Sequence, residues 1–241
     1  MEGPHVLFLK NKLQRFKGKI VSGISGDAEI EQSAIQYLKI SDIETFGENL
    51  FFVFKDFFVS VDFGNSGTML VNKSKKTNAN FSLHFPHSEI NFYGTKTQLH
   101  KGKPTDYFNF KNDILKPQFD ADFILNELKT NHADKMIGDV LINQNLFAGV
   151  GNIIRTETLY HAKIYPDSLI KAIPEKKLIF LLKMVVDYAE EFLILLKTDS
   201  VEKNTLIFEK KICPKDKTPI LSKIEGENKL FVCEKCQKKF E

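Results

Sequence analysis

The stretch Ile137 to Pro166, IGDVLINQNLFAGVGNIIRTETLYHAKIYP, decides the fold. Val140, Leu141, Leu146 and Phe147 lead into a turn in which Gly149 and Gly151 bracket Val150, and Ile153, Ile154, Thr158, Leu159 and Ala162 then recur at helical spacing. The pattern predicts two helices joined by a tight glycine turn, where glycine permits backbone angles and close approaches that a side chain forbids. Asn152 opens the second helix, a position asparagine favours, and the first-turn N–H groups of a helix have no helical partners. An anion can accept from such groups and is favoured by the helix dipole, so the turn reads as a phosphate holder. An ordinary helix hairpin with a glycine bend is the competing reading of so short a motif.

Outward from this stretch, 241 residues with 42% hydrophobic content can bury a proper core, as one large or two modest domains. No apolar run approaches the length of a membrane span and no signal peptide opens the chain, so a soluble cytoplasmic protein without a membrane partner is the expectation. All three cysteines fall after residue 212, which fits a reduced compartment and a local metal site better than a disulfide framework. The net charge of +3 is a weak global signature for nucleic acid, but Val71 to Pro104 holds Lys73, Lys75, Lys76, Lys96, Lys101 and Lys103 against the single acid Glu89. That segment reads either as a phosphate-facing patch or as solvated surface.

Towards the N-terminus, Pro4 sits where a first-turn proline is tolerated, and Val6, Leu9, Leu13 and Phe16 follow at helical spacing. Leu50 to Phe54 and Phe57 to Phe63 predict one hairpin across Lys55-Asp56, and Phe81 to Phe85 with Glu89 to Tyr93 another across Pro86-His87. The 22 phenylalanines concentrate here, as the inner faces of two packed sheets require. Gly102 to Asp113 reads as the connection to a helical region, with helices over Asp120 to Thr130, Met136 to Asn145, Asn152 to His161 and Pro174 to Lys197. The expected fold is α+β with three parts: residues 1–112 a β-sandwich with its first helix, 113–205 a helical region, and 206–241 a cysteine-bearing hairpin finger.

The ends of the chain add to this pattern. It opens Met1-Glu2-Gly3-Pro4 and closes with Cys213-x-x-Asp216 followed by Cys233-x-x-Cys236. Together with Gly149-Val150-Gly151-Asn152, these motifs resemble the formamidopyrimidine-DNA glycosylase and endonuclease VIII family of base-excision repair enzymes, over essentially the whole chain. The resemblance implies a β-sandwich, a helix-two-turn-helix (H2TH) region and a zinc-finger-like hairpin, acting as a monomer on double-stranded DNA that carries a damaged base or an abasic site. It implies a DNA glycosylase and AP lyase whose N-terminal α-amine attacks the sugar C1′ and forms a Schiff base. It also implies substrate contacts from Gly3, Pro4, Asn65, Gly149, Gly151, Asn152 and Lys229.

In relatives the nucleophile is an N-terminal proline; here that position is Met1, whose primary α-amine has an ordinary pKa of about 8. Glu2 matches the family's general acid, which needs a raised pKa; burial pushes it up, a helix start pushes it down, and a plain first-turn acid is the bland reading. Glu48 stands where relatives carry a phosphate-binding lysine, a repulsive exchange for which only Lys39 or Lys55 offers compensation from nearby. Asn65 replaces the apolar wedge that fills the gap left by a flipped nucleotide. Cys213, Asp216, Cys233 and Cys236 have the paired two-residue gaps of a structural zinc site, the alternative being a zinc-free hairpin. Lys229, beside Asn228, stands near the place of the finger arginine as a point charge without its fork. These departures keep a second reading in play: an impaired module that binds abasic or distorted DNA without turnover.

Overall fold

A computed structural model describes every residue except Asn65 and positions 226–227, with positions 225 and 228 described by backbone alone. The chain divides into two compact units, Met1 with His5–Asn109 and Glu2–Pro4 with Phe110–Glu241. The finger segment belongs to the same unit as the helices.

From His5 onward α1 (Gly3–Leu13) belongs to the first unit, and its Val6 and Leu13 are fully buried. Eight strands follow: β1 (Gly23–Gly26), β2 (Asp42–Phe46), β3 (Asn49–Val53), β4 (Phe57–Asp62), β5 (Thr68–Val71), β6 (Phe81–Phe85), β7 (Ser88–Tyr93) and β8 (Lys96–Lys101). They pair antiparallel into two four-stranded sheets, ordered β2-β3-β4-β8 and β1-β6-β7-β5. The two predicted hairpins are present, with Val53 opposite Phe58 and Phe85 opposite Ser88. Strand periodicity sends Leu50, Phe52, Val59 and Val61 into the shared core, where they meet Phe63, Phe81 and Phe92.

The phenylalanines do more than line that inner face. Phe51 and Phe58 point to the opposite side of their sheet and are also fully buried, because Phe108 folds over them with ring centroids 4.9 and 6.4 Å away. An outer aromatic layer therefore exists, made by Phe108 of the Gly102 to Asp113 segment, which the sequence predicts only as a connection.

The second unit contains α2 (Ala121–Thr130), α3 (Ile137–Leu141), α4 (Asn152–Ala162), α5 (Glu175–Lys197) and the short α6 (Val201–Asn204). Asp120 caps α2 by accepting from Phe123 N at 3.0 Å. The predicted helix from Met136 to Asn145 stops at Leu141, because Asn143 starts a turn: its side chain accepts from Asn145 N and its carbonyl from Leu146 N. Ile137, Leu141, Phe147, Ile154 and Leu159 join Leu181, Val185 and Phe192 of α5 in one core. The two ends of the deciding stretch meet, with Gly138 N donating to Pro166 O at 3.0 Å. β9 (Leu221–Glu225) and β10 (Asn228–Val232) close the chain as a hairpin packed through Phe231 on Tyr160 and Ile207. Among the described residues no helix is long and apolar enough to cross a membrane.

Candidate active site and nucleic-acid interface

At the start of α4, Glu2 occupies the position of a cap. Its Oε1 accepts from Ile153 N at 2.6 Å and its Oε2 from Ile154 N at 3.2 Å. Two glycines make this approach possible: a Cβ added to Gly151 would stand 2.3 Å from Glu2 Cγ, and one added to Gly3 would stand 2.8 Å from Gly149 Cα. Gly149 adopts φ +97°, and its carbonyl accepts from Gly3 N at 2.9 Å. Gln144 braces the turn from the other side, its Oε1 accepting from Gly149 N and its Nε2 donating to Val150 O. Two of the amides that the sequence suggested for phosphate are thus engaged by the protein's own carboxylate.

Glu2 is 7% exposed. Burial raises its pKa from 4.5 to about 7, against the opposing pull of the Ile153, Ile154 and Gly151 amides. The contest between desolvation and the helix start goes to desolvation, so near neutral pH this carboxyl is balanced between donor and acceptor.

Within the first unit, the Met1 amine donates to the carbonyl of Gly64, a residue at φ +46° whose own N–H is held by Asp62 Oδ1 at 2.9 Å. The Met1 side chain packs against the sandwich core. Pro4 is buried in the first turn of α1. Asn65 lies outside the described residues. Glu48 is half-buried in the two-residue turn joining β2 and β3, where Gly47 takes φ +52°. Lys39 precedes β2 and Lys55 follows β3, so both lie at the other end of that hairpin, roughly 17 Å along five-residue strands. Neither replaces a cation at position 48. The six lysines of the suspected patch are all exposed, but they divide between the loop after β5 and the region of β8, strands of different sheets.

Asn152 is half-buried, and its Oδ1 accepts from Arg155 Nη2 at 3.2 Å. Lys229 is exposed on β10, opposite Ile224. Arg155 and Glu157, which the sequence pattern does not single out, are both fully buried. Glu157 accepts from the main-chain N–H groups of Leu206, Ile207 and Phe208 at 2.9, 2.9 and 2.7 Å, fastening the finger's base to α4. The available signal was a helix carrying two opposite charges inside an otherwise core-forming stretch.

Cys213, Asp216, Cys233 and Cys236 converge, with one ligand atom from each within 4.8 Å of all the others. The Cys213 and Cys236 sulfurs stand 3.8 Å apart, matching the separation of about 3.8 Å that two thiolates bonded at about 2.3 Å to a tetrahedral zinc would have. Thr218 donates to Asp216 Oδ1 from its N–H at 2.9 Å and its hydroxyl at 2.5 Å, leaving Oδ2 facing Cys233 and Cys236 at 3.2 Å each. Those two donors, the first of the causes, hold Asp216 well below the usual carboxylate range. Burial pushes Cys213 up, but the Tyr160 hydroxyl 3.3 Å away and the amides of Asp216 and Lys215 outweigh it and favour the thiolate. Burial pushes Cys236 up to about 12, a proton that a metal would have to displace. These four residues could hold a metal ion, and their spacing and donor set fit zinc.

Residues 111–202 match the family model for the formamidopyrimidine-DNA glycosylase H2TH domain. Over 209 residues the chain is 27% identical to the mouse (Mus musculus) protein endonuclease 8-like 3, covering 82% of this chain and 34% of that protein. It is 31% identical over 135 residues to endonuclease 8-like L720 of Acanthamoeba polyphaga mimivirus, covering 53% of this chain and 49% of that one. The chain thus spans about a third of the length of its endonuclease 8-like 3 relatives. Its fold matches the crystal structure of Lactococcus lactis formamidopyrimidine-DNA glycosylase non-covalently bound to DNA containing an AP site, with a TM-score of 0.89, 19% identity, and 99% of this chain and 100% of that chain covered.

Proposed function

We propose that the chain is a divergent member of the formamidopyrimidine-DNA glycosylase and endonuclease VIII family, and a base-excision-repair DNA glycosylase and AP lyase acting on damaged or abasic double-stranded DNA. The neutral amine of Met1 attacks C1′ of the lesion sugar. Glu2 delivers its proton to the ring oxygen as the C1′–O4′ bond opens, and loss of water or of the damaged base leaves a Schiff base between Met1 N and C1′. Removal of a C2′ proton then expels the 3′ phosphate by β-elimination.

The observation that carries this reading is the buried Glu2 carboxyl, raised to about 7 and fixed on the amides of Ile153 and Ile154. An acid that keeps its proton at neutral pH is what ring opening needs, and a surface glutamate would lack it. Gly3, Pro4, Gly149 and Gly151 serve the site by seating Glu2, while Asn65, Asn152 and Lys229 supply contacts to the DNA. Zinc, when bound by Cys213, Asp216, Cys233 and Cys236, neutralises the thiolates and stiffens the hairpin that carries Lys229.

Borohydride reduction in the presence of abasic duplex tests the chemistry. A covalent protein–DNA adduct should form, map to residue 1, and vanish when the Met1 amine is acetylated. Absence of an adduct at any protein concentration sinks the lyase. A second reading, tight binding to abasic DNA without turnover, is favoured by one observation: Glu48, not a lysine, tips the β2–β3 hairpin, and Lys39 and Lys55 lie at its other end. Retention of an abasic analogue in a gel shift, with natural abasic substrate intact after long incubation, supports that reading instead.

A further inference from the structure

Arg155 heads the largest side chains that are fully buried among the described residues. It reaches three parts of the second unit: Nη2 donates to Asn152 Oδ1 at 3.2 Å and to the Lys229 carbonyl at 3.5 Å, and Nη1 donates to the Gly138 carbonyl at 3.4 Å. The consequence lies in the chemistry of asparagine. Its side chain carries an acceptor on one branch and two donors on the other, whereas a guanidinium only donates. Contact with Arg155 therefore selects the oxygen branch and leaves the Nδ2 hydrogens as the donors Asn152 can present to solvent. Those hydrogens suit an anion; the opposite orientation would present an oxygen and repel it. The same planar group also grips the main chain of Lys229, whose ammonium is exposed. With Nη1 on the Gly138 carbonyl, the planar guanidinium holds these acceptors in one fixed geometry, which a freely rotating lysine ammonium would not impose.

We infer that Arg155 is the positioning residue of the phosphate grip, setting the polarity of the Asn152 amide and registering β10 to it without itself touching DNA. This rests on the DNA-binding reading given above. The resulting site is for a single backbone phosphate, bound by the Asn152 amide and the Lys229 ammonium.

The test is equilibrium binding to a duplex carrying a tetrahydrofuran abasic analogue, across a range of salt, for the wild type, Asn152→Ala, Arg155→Met, Arg155→Gln, Lys229→Ala and the Asn152→Ala/Arg155→Met pair. Loss of the Asn152 donors should weaken binding about tenfold, the scale of one charge-assisted hydrogen bond. Arg155→Met should cost a similar factor, the pair no more than about twofold beyond either single change, and Arg155→Gln, which keeps an amide donor, should recover most of the loss. The slope of log affinity on log salt should stay constant in Arg155→Met and drop by about one in Lys229→Ala. Additive losses overturn the inference, because they make Arg155 independent of Asn152. A slope that drops by about one in Arg155→Met also overturns it, because it makes Arg155 a direct phosphate contact. Should Arg155→Met not fold, Asn152→Asp decides the matter: with Arg155 intact it turns an oxygen outward and should bind more weakly than Asn152→Ala, and equal binding overturns the inference. A wild type that ignores the abasic duplex overturns the DNA-binding reading together with this one, whereas additivity in a wild type that binds it overturns this one alone.

Discussion

A carboxylate that accepts from two main-chain amides at a helix start would ordinarily ionise at low pH, yet Glu2 is pushed up to about 7 because burial outweighs those donors. The sign of its effect on stability follows. Below about pH 4.5 the group is protonated whether the chain is folded or not, and it costs nothing. As pH rises from 4.5 to 7 the unfolded chain releases the proton while the fold retains it, so stability falls across that window. Above 7 the penalty is constant, on the order of 3 kcal/mol. Glu2→Gln should therefore flatten the pH dependence of urea unfolding between about 4.5 and 7, whereas a profile parallel to the wild type would show that Glu2 is not the titrating group. In turnover, the wild type should lose rate as pH climbs through about 7, when the acid loses its proton.

At the scale of elements, α4 is the member on which the site is organised. Its first turn holds Glu2, its buried Arg155 reaches the Lys229 carbonyl, its Glu157 binds the amides of residues 206–208, and its Tyr160 hydroxyl lies against Cys213. The finger thus depends on α4 as well as on its four candidate ligands. Outer-shell partners of metal ligands commonly change affinity 10–100-fold. Tyr160→Phe, which removes a donor from Cys213, and Thr218→Val, which frees Asp216 to rotate, should each weaken zinc retention by about tenfold or more in competition with a chromogenic chelator. Retention equal to the wild type in both variants would mean that neither donor shapes the site. The outer aromatic layer of the sandwich is the other lesson at this scale: Phe108 buries Phe51 and Phe58, so the sheet β2-β3-β4-β8 is covered on both faces.

For the whole molecule, a net charge of +3 gives little general attraction to a polyanion, so on the proposed reading DNA binding would depend on a few well-placed charges. On that reading Glu48 would oppose binding from the tip of a hairpin whose candidate replacements, Lys39 and Lys55, lie at the opposite end. Glu48→Lys should strengthen binding to abasic duplex on the order of tenfold at low salt and steepen its salt dependence by about one ion. If the chain is an enzyme, strand cleavage should rise in parallel; stronger binding with no cleavage would identify a binder. Unchanged affinity and slope would remove position 48 from the interface altogether.

Much of this protein was legible in the sequence because it is written locally. The glycine turn between two helices, the hairpins across Lys55-Asp56 and Pro86-His87, and the spacing of Cys213, Asp216, Cys233 and Cys236 all depend on neighbours a few residues apart, where periodicity and backbone chemistry act directly. The helix after Met136 was overextended because the side chain of Asn143 competes with the helix for backbone partners. The remaining features depend on contacts between residues far apart in sequence and on exclusion of water. Glu2 meets Ile153 across 151 positions, Arg155 meets Lys229 across 74, and the balance that raises the Glu2 pKa is set by the surroundings that bury it. Residue spacing fixes which groups share a face, but desolvation and long-range contact exist only once the chain has folded, and here they determine which acid keeps its proton and which branch of the Asn152 amide meets Arg155.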